Sequence, residues 1–547
     1  MTRAAGLTTW VDADVRREFE ARGDWTDEVW LDRFLADVEA DPQAVAVVDE
    51  SGALTRGEVL GQARRLAAYL GGQGIGRGDV MTLVLPNWSE FVVVHAAAGL
   101  AGCVVNPVLP RLGAADLRHV LTLAGSRAVF AAGMHRSVSP LELVLEAASG
   151  LDRPPLVVGV RTAGESDLPD LAMLLATPWE AAHVLPSPVR DAGSADTITF
   201  TSGTEALPKG VVHSHRSTMF GLRAFIGGVL GLGPGDCVFM PSPICHASGL
   251  QWGLRTAAYA GVPLVLQDRW DPAVAAELIG THGCTYTLAA TPFVVDLLAA
   301  HRSGSPGVDR LRYIASGGAP IPRHLVAEVR DALDAELIAV FGSSETYVAT
   351  TARPGDPEHL MATDGAPLPG VEVQILDPTG CPVPSGVDGE IVTRGPHVFL
   401  GYLGDPTLTT GSFTGQWYHY GDIGRFDADG RLHVTGRIKD IVIRGGENIS
   451  VREVEDLLSE HPLIGQVAVV GYPDPRLGER CCAVVRPPGR EAPTLADLVE
   501  YLRARGLPTF KSPERLEIVG EMPMTVTGKI RKSRLRELVA AGPISPS

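Results

Sequence analysis

The sequence predicts an α/β protein with a large N-terminal domain of mixed and parallel sheets and a small α+β C-terminal domain. Through about the first 430 residues, short β-branched runs such as Val80–Leu85 and Leu337–Phe341 alternate with Ala- and Leu-rich amphipathic segments. Strand and helix patterns in alternation are typical of sheets with many parallel strands. The length of 547 residues is too great for one hydrophobic core, so two or more domains are expected.

The pattern changes between residues 376 and 440, where Gly, Pro and Asp separate short apolar runs. Turns such as the one at residues 428–430 indicate antiparallel hairpins, and hence a β-rich subdomain. Ser450 to Glu453 has the form of a capping box and predicts the start of a helix. We therefore expect a boundary near residues 436–439, with an N-terminal domain over 1–437 and a small domain over 438–547.

Composition argues against several functional classes. Lys and Arg number 47 against 64 Asp and Glu, a formal charge of −17, which gives no support for a nucleic-acid partner. The seven scattered cysteines show no zinc-like spacing and suggest no disulfide framework, so a cytoplasmic protein is expected. No signal peptide is recognisable. The most membrane-like run, residues 91–108, is interpreted as a buried helix that leads into a strand.

The strongest chemical motif follows an apolar run at residues 197–200. It reads TSGTEALPKG from Thr201 to Gly210. Gly203 would let a phosphate approach the backbone, hydroxyl groups would donate to phosphate oxygens, and Lys209 would add positive charge. The loop lacks the Walker A pattern, and by composition alone a surface turn fits equally well.

The order of residues in this loop is more specific than its composition. It resembles the phosphate loop of the adenylate-forming (acyl-activating) superfamily, whose usual form is Thr-Ser-Gly-Thr-Thr-Gly-x-Pro-Lys-Gly. This chain differs from that form at Glu205 and Ala206. Other segments that resemble the superfamily follow in the expected order, at residues 316–320, 341–345, 417–424, 436–440, 445–449 and 523–532. The resemblance covers nearly the whole chain, most densely from Thr197 to Lys532.

The resemblance implies that this chain binds ATP and Mg²⁺. Phe341 would stack on adenine, Asp422 would accept hydrogen bonds from both ribose hydroxyls, and Arg437 would contact ribose or phosphate. The implied metal contacts are Glu345 and Thr204, and Mg²⁺ prefers such oxygen ligands alongside phosphates. The implied nucleotide-binding residues are Thr201, Ser202, Gly203, Thr204, Lys209, Gly318, Ala319, Phe341, Gly342, Ser343, Ser344, Asp422, Arg437 and Lys529.

The C-terminal segments imply one site that serves two chemical steps. Lys529 would bridge the acid and the α-phosphate during adenylation, where a cation stabilises the charge that develops. With Thr204 and Glu345 it forms the set of candidate catalytic residues. Lys439 stands at the hinge position, where one residue absorbs the rotation between domains. The implied coenzyme A channel residues are Gly445, Gly446 and Glu447.

The acid is less well defined by the sequence. His246 lies where amino-acid-activating relatives usually carry an aspartate, and residues 244–253 contain no carboxylate, so an α-amino acid is disfavoured. A packed histidine at a strand end is the alternative interpretation of His246. We expect an apolar pocket, with room made by glycines, that fits a fatty, aryl or alicyclic acid. Its implied residues are His246, Trp252, Gly253, Gly317 and Phe341.

These expectations describe a carboxylic acid–coenzyme A ligase that acts through acyl-AMP and releases pyrophosphate and AMP. Only 18 residues follow Lys529, with no attached carrier module, so free coenzyme A is the simplest acceptor. A separate carrier protein is the alternative acceptor. A non-catalytic relative is the alternative to a ligase, and three departures from the family pattern could mark it: Glu205, Ala206 and Tyr420. Tyr420 stands where the family usually has Thr or Ser. A luciferase-like oxygenase has no feature in its favour, and a homodimer is one option that the sequence does not decide.

Overall fold

The computed structural model describes residues 7–162, 168–185, 191–201, 207–318, 321–524 and 530–544. Its strands in chain order are β1 (Val45–Asp49), β2 (Gly52–Thr55), β3 (Val80–Val84), β4 (Val104–Pro107), β5 (Ser126–Ala132), β6 (Leu156–Val160), β7 (Ala195–Thr201), β8 (Lys209–Ser214), β9 (Val238–Met240), β10 (Leu264–Leu266), β11 (Tyr286–Leu288), β12 (Tyr313–Gly317), β13 (Glu336–Phe341), β14 (Thr350–Thr351), β15 (Ala366–Pro367), β16 (Glu372–Leu376), β17 (Gly389–Arg394), β18 (Gly401–Tyr402), β19 (Phe413–Thr414), β20 (Trp417–Phe426), β21 (Leu432–Arg437), β22 (Val442–Arg444), β23 (Glu447–Ile449), β24 (Gln466–Asp474), β25 (Gly478–Arg486) and β26 (Arg515–Ile518).

The α-helices follow the same order. They are α1 (Ala13–Ala21), α2 (Trp30–Ala40), α3 (Arg56–Gly72), α4 (Ser89–Ala101), α5 (Ala114–Ala124), α6 (Pro140–Ala148), α7 (Leu171–Ala176), α8 (His215–Gly221), α9 (Ala247–Gly249), α10 (Arg255–Ala260), α11 (Pro272–His282), α12 (Thr291–Arg302), α13 (Arg323–Leu333), α14 (Glu358–Met361), α15 (Pro406–Gly411), α16 (Val451–Ser459), α17 (Leu495–Ala504) and α18 (Lys532–Ala541). Two stretches of π-helix, Leu222–Leu230 and Leu250–Leu254, continue α8 and α9.

Two large sheets form the frame of the N-terminal domain. Among the described residues, one has nine strands in the order β15-β14-β13-β12-β11-β9-β10-β1-β2, and the other has seven in the order β18-β8-β7-β4-β3-β5-β6. The central pairs, such as β12 with β13 and β3 with β5, are parallel, and the antiparallel pairs lie at the edges. The predicted α/β fold with parallel sheets is therefore confirmed.

The apolar run at residues 91–108 is a buried helix that leads into a strand, as the sequence predicts. It corresponds to α4, whose side chains are almost all buried, followed by β4. Gly102 ends the helix in the left-handed conformation, which glycine adopts without steric cost. Among the described residues, no helix is long and apolar enough to cross a membrane.

A third sheet, fully antiparallel, carries the predicted ribose-binding residues. Its order is β16-β17-β20-β19, and β21 pairs with β20. The predicted turn at residues 428–430 joins β20 to β21, and Gly430 lies at a φ of 70°. Asp422 and Arg437 are direct partners in the register of this hairpin. The hairpin therefore sets these two side chains opposite each other.

The small C-terminal domain contains a sheet in the order β23-β22-β25-β24, with β26 beside β25, and the helices α16, α17 and α18. Cys481 and Cys482 lie on β25 and are fully buried on its two faces, so the prediction that they pack within a strand is confirmed. All seven cysteines are unpaired. The two-domain division is confirmed, while the boundary at residues 437 and 438 stays a prediction.

The helix predicted after Ser450 forms, but the capping box does not. Ser450 is the N-cap of α16, and its hydroxyl donates to the carbonyl of Thr435 instead of accepting from the first turn of the helix. Glu453, the other half of the predicted box, pairs with Lys511 at 2.5 Å. A tertiary contact to β21 has replaced the local one, which the sequence pattern could not reveal.

Candidate active site

Three of the implied nucleotide-binding residues, Gly318, Phe341 and Gly342, lie where the neighbouring parallel strands β12 and β13 end. Gly317 ends β12 and is the register partner of Val340 in β13, whose last residue is Phe341. Clefts outside the carboxyl ends of parallel strands are the usual ligand sites of open α/β sheets. Gly318 and Gly342 are the first residues after these two strands.

The two sides of the phosphate loop are held by the β7–β8 hairpin. Thr201 and Lys209 are register partners at its open end, so the residues on either side of the loop lie next to each other. His119 of α5 lies 3.0 Å from the carbonyl of Pro208 through its Nε2 and fixes the returning strand. The predicted contacts Ser202, Gly203 and Thr204 lie outside the described residues, as does Ala319.

A buried ion pair anchors the beginning of this hairpin. Arg255 is fully buried, and its Nη2 lies 2.8 Å from Oδ2 of Asp196 at the start of β7. His215 approaches the other carboxylate oxygen at 3.2 Å. Burial alone would raise the pKa of Asp196, but Arg255 and His215 lower it to about 2. The strand that leads into the phosphate loop therefore starts from a fixed charge pair.

Residues 342–347 form a tight turn that presents Ser343, Ser344 and Glu345. A side chain at Gly342 would bring a Cβ within 1.9 Å of the carbonyl oxygen of Tyr347, so only glycine allows the turn to close. The hydroxyl of Ser343 accepts from the Glu345 amide at 3.2 Å. Tyr347 closes the turn at a φ of 54°. The turn is thus fixed by its own backbone before any ligand binds.

Glu345, the predicted metal ligand, is held by a residue that the sequence analysis did not identify. The hydroxyl of Tyr402 donates to Oε1 of Glu345 at 2.8 Å, which leaves the second carboxylate oxygen for a ligand. Burial and the neighbouring carboxylate raise the pKa of Tyr402, so it remains a donor at neutral pH. Lys209 Nζ lies 5.6 Å from the centre of the Tyr402 ring. The phosphate-loop lysine and the metal-ligand candidate therefore share one neighbour.

The predicted ribose contact is a carboxylate supported by a cation. Arg437 Nε lies 2.7 Å from Oδ1 of Asp422, and its Nη2 lies 3.4 Å from Oδ2. The Asp422 side chain is 13% exposed, whereas that of Arg437 is 59% exposed. Because an ionised carboxylate offers about four acceptor positions, Asp422 can bind Arg437 and still accept from a diol.

Tyr420 has a clear structural role. Its hydroxyl donates to Oγ1 of Thr346 at 2.9 Å, and its ring lies 4.8 Å from the ring of Phe341, tilted by 52°. Burial raises the pKa of Tyr420, so the phenol is neutral. The Tyr420 side chain thus contacts both the turn that carries Glu345 and Phe341, the ring predicted to stack on adenine.

Two glycines predicted to make room in the acyl pocket lie directly against neighbouring residues. The space that a side chain at Gly253 would occupy is filled by Met240, 2.6 Å away, and that at Gly317 by Val340, 2.3 Å away. These glycines therefore allow close packing rather than opening a void. Trp252 is buried, with its ring perpendicular to that of Tyr347 at 6.0 Å. Their place in the acyl pocket stays a prediction.

His246 caps a helix. Its Nδ1 accepts from the amide of Ser248 at 3.3 Å and lies 2.9 Å from that residue's hydroxyl, at the N-terminus of α9. This is close to the alternative interpretation of a packed histidine at a strand end. The place of His246 in the acyl pocket stays a prediction.

The hinge and the coenzyme A channel residues lie at the start of the small domain. Gly445 and Gly446 form the two-residue turn of the β22–β23 hairpin, with φ values of 62° and 92°, as a tight turn of this kind requires. Both glycines and Glu447 are exposed. Lys439 lies in a short 3₁₀ turn, and its carbonyl accepts from Nη2 of Arg536 at 3.2 Å.

Lys529 lies outside the described residues, but the chain on either side of it is fixed. Met524 and Ile530 form an antiparallel bridge, and the amide of Arg531 donates to the carbonyl of Pro523 at 2.7 Å. Lys532, the first residue of α18, binds the half-buried Glu455 at 2.8 Å. The described residues on both sides of segment 525–529 are therefore anchored.

The chain matches a known enzyme family over most of its length. The family described as AMP-binding enzyme matches residues 34–403, and the AMP-binding enzyme C-terminal domain matches residues 453–529. The chain belongs to the AMP-binding enzyme family. Its relatives within this family include the medium-chain fatty-acid–CoA ligase of Escherichia coli, 34% identical over 527 residues that cover 95% of this chain and 92% of the relative.

Another AMP-binding relative is the salicyl-AMP ligase / salicyl-S-ArCP synthetase of Mycobacterium tuberculosis, 32% identical over 97% of this chain and 95% of the relative. Among solved structures, the anthranilate CoA ligase AuaEII in complex with anthranoyl-AMP superposes with a TM-score of 0.85 at 22% identity, covering 94% of this chain and 98% of that one. This likeness confirms the fold of the AMP-binding enzymes for this chain.

Proposed function

We propose that this protein is an AMP-forming carboxylic acid–coenzyme A ligase whose acid is fatty, aryl or alicyclic. The observation that carries the proposal is a chain of contacts, in a member of the AMP-binding enzyme family, that links the residues expected to bind ATP. Tyr402 contacts both Lys209 and Glu345, and Tyr420 contacts Phe341 and lies two residues before Asp422. Each of these residue types matches one part of ATP: a cation for phosphate, carboxylates for the metal and the ribose, and an aromatic ring for adenine.

The reaction would proceed in two displacements. A carboxylate oxygen of the acid attacks the α-phosphorus of ATP, the bond to the bridging oxygen breaks, and pyrophosphate leaves. The thiol of coenzyme A then loses its proton to solvent and attacks the acyl carbon, and the carbon–oxygen bond to AMP breaks. In the first step Lys529 would neutralise the charge that develops between carboxylate and α-phosphate. Asp422 and Phe341 would hold the nucleoside in both steps.

Mg²⁺ fits the donors that this site offers. Within the described ranges there is no group of three or more His, Cys, Asp or Glu residues that could hold a metal by itself. Mg²⁺ bound with nucleotide needs only one or two protein oxygens, because the phosphates supply the rest. Glu345 would provide one, and Thr204 the second. The ion would neutralise phosphate charge during displacement.

The relatives differ in the thiol that accepts the acyl group in the second step. The name of the Escherichia coli relative specifies coenzyme A, and that of the Mycobacterium tuberculosis relative specifies a carrier protein. The exposed Gly445–Gly446 turn has no side chains at its tip and would let a thiol arm pass close to the backbone, and coenzyme A supplies such an arm without a second protein. The seven unpaired cysteines fit a reducing compartment, and we propose the cytoplasm as the site of the reaction.

The direct test incubates the purified protein with ATP, Mg²⁺, coenzyme A and a panel of fatty, aryl and alicyclic acids, and identifies products by mass spectrometry. Acyl-CoA together with AMP is the expected result. Acyl-AMP without acyl-CoA would transfer the proposal to a carrier-protein acceptor. Neither product across the panel, from folded protein, would contradict the ligase function and favour the non-catalytic relative.

We further propose that Arg536 fixes the axis of the domain rotation. Its guanidinium binds the carbonyl of Lys439 and, in a close ion pair, the carboxylate of Asp440. The peptide between these residues therefore belongs to the small domain, and rotation is confined to the Lys439 backbone bonds that precede it. Lys532 lies one helical turn before Arg536 on the same face of α18, so the hinge is tied to the helix that begins three residues after Lys529.

Replacing Arg536 with alanine should slow complete acyl-CoA formation by about 5- to 10-fold, because a loosened hinge reaches each domain orientation less often. The single half-reactions, adenylation and thioester formation from supplied acyl-AMP, should change less. Arg534→Ala is the matched control, since Arg534 lies on the same helix, is 56% exposed and pairs with Glu537 three residues along that helix. Equal rates for both variants would contradict this role of Arg536.

A further inference from the structure

A buried histidine lies against the turn that carries Ser344 and Glu345. His213 is the fifth residue of β8, on the strand that returns from the phosphate loop, and it is 1% exposed. Its Nε2 lies 2.7 Å from the carbonyl oxygen of Ser344, and its Nδ1 lies 3.0 Å from the hydroxyl of Ser217. A carbonyl oxygen can only accept, so Nε2 carries the proton and Nδ1 accepts from Ser217.

The same imidazole also stacks on the far end of the turn. The rings of His213 and Tyr347 are 3.9 Å apart and inclined by 23°. His213 therefore contacts the turn twice, through the Ser344 carbonyl in its middle and through Tyr347 at its end. Because Tyr347 holds a φ of 54°, which few residues other than glycine adopt readily, an external contact at this point helps to maintain the backbone shape.

Tyr347 extends this contact toward the predicted acid site. Its ring meets Trp252 edge to face at 6.0 Å, and Trp252 meets Phe225 in the same way at 5.3 Å. Phe225 and Trp252 lie in the two π-helical stretches, a geometry that recurs at functional sites. A chain of ring contacts thus joins His213 to Trp252, which is predicted to line the acyl pocket.

We infer that His213 is a positioning residue that couples the acid site to the nucleotide site, an inference that rests on the proposed ligase function. It touches neither substrate. Its N–H fixes the peptide between Ser344 and Glu345, and its ring fixes Tyr347 against Trp252. The nucleotide-binding turn and the wall of the acid pocket therefore share one support. A displacement of this support shifts both, and misplacement by about 1 Å costs up to about 100-fold in rate.

The test compares three replacements of His213. His213→Phe keeps a stacked ring but leaves the Ser344 carbonyl without its donor. His213→Gln places an amide N–H near the position of Nε2, and His213→Asn carries the same amide one bond too short to reach. We expect kcat/KM to fall about 10- to 100-fold in the Phe and Asn variants, with KM raised for both ATP and the acid, and the Gln variant to recover most of this loss.

His397→Phe is the control for the removal of a buried histidine. His397 is fully buried in the same region, but its Nε2 lies 3.3 Å from Thr393 and not on the turn. This variant should keep the wild-type KM values for both substrates. Thermal melting confirms folding of each variant, and if the Phe variant does not fold, the Asn and Gln pair carries the comparison.

Wild-type turnover is measured first, so the two claims fail separately. Absence of acyl-AMP from the wild-type protein would overturn the proposed function. Wild-type kinetics in the Asn and Phe variants would overturn the role of His213, as would a Gln variant as impaired as the Asn variant. A change confined to the KM of one substrate would overturn the coupling of the two sites.

Discussion

Replacing Lys529 with alanine is expected to reduce acid-dependent adenylation by about 1,000-fold. Removal of one charged group that stabilises a developing negative charge has effects of this size when the site excludes water. Thioester formation from supplied acyl-AMP should change by less than about 3-fold, because that step forms no new bond to phosphorus. ATP–pyrophosphate exchange measures the first half-reaction, and acyl-CoA produced from synthetic acyl-AMP measures the second.

The control for this experiment is Lys511, a lysine of the same domain that forms a structural ion pair. Lys511 pairs with Glu453 at 2.5 Å, and Lys511→Ala should leave both half-reactions near the wild-type rate. If Lys529→Ala slowed both half-reactions equally in a folded protein, one lysine could not be specific to adenylation. The proposal that the small domain rotates between two working orientations would then be wrong for this chain.

Replacing Asp422 with asparagine is expected to lower kcat/KM for ATP by about 100-fold. A hydrogen bond to a charged acceptor contributes about 1.5–3 kcal/mol, and the amide replaces one acceptor oxygen by a donor that faces the ribose hydroxyls. A loss of about 3 kcal/mol corresponds to about 100-fold. The fold should persist, because Arg437 is 59% exposed and its charge remains solvated when its partner is neutral.

Asp388→Asn is the matched control for the ribose contact. Asp388 lies beside the same antiparallel sheet, is 47% exposed and pairs with Arg425 at 3.1 Å. Exposed pairs of this kind contribute little, so KM for ATP should stay at the wild-type value. An unchanged KM for ATP in Asp422→Asn would contradict the proposed hydrogen bonds between Asp422 and the ribose hydroxyls.

The sequence predicts this fold well where the pattern is local. The run at residues 80–84 is entirely buried between two parallel neighbours, and such continuous apolar runs are the signature of a central strand. Turn residues between residues 376 and 440 likewise predict the antiparallel sheet. Local patterns fail where a distant partner competes, as at Ser450, whose hydroxyl binds the strand β21 instead of its own helix.

The same contrast between local pattern and distant contact applies to the residues of the candidate site. Motifs identified Phe341, Glu345 and Asp422, because each lies in a short segment of fixed spacing. The supports of these residues are remote in sequence: His213 is 131 residues from Ser344, and Tyr402 is 57 residues from Glu345. No spacing rule connects such pairs. The glycines expected to widen the acid pocket illustrate the same limit, since only the folded chain reveals that Met240 lies in the space beside Gly253.

The central claim is that the acid is activated as acyl-AMP, and isotope transfer tests it most directly. An accepted acid is labelled with oxygen-18 in both carboxylate oxygens and incubated with ATP, Mg²⁺ and coenzyme A, and the products are weighed by mass spectrometry. The account predicts one labelled oxygen in AMP and one in the thioester carbonyl, because thiol attack breaks the bond between acyl carbon and the acid's own oxygen. Unlabelled AMP, or label in inorganic phosphate together with ADP, would contradict it.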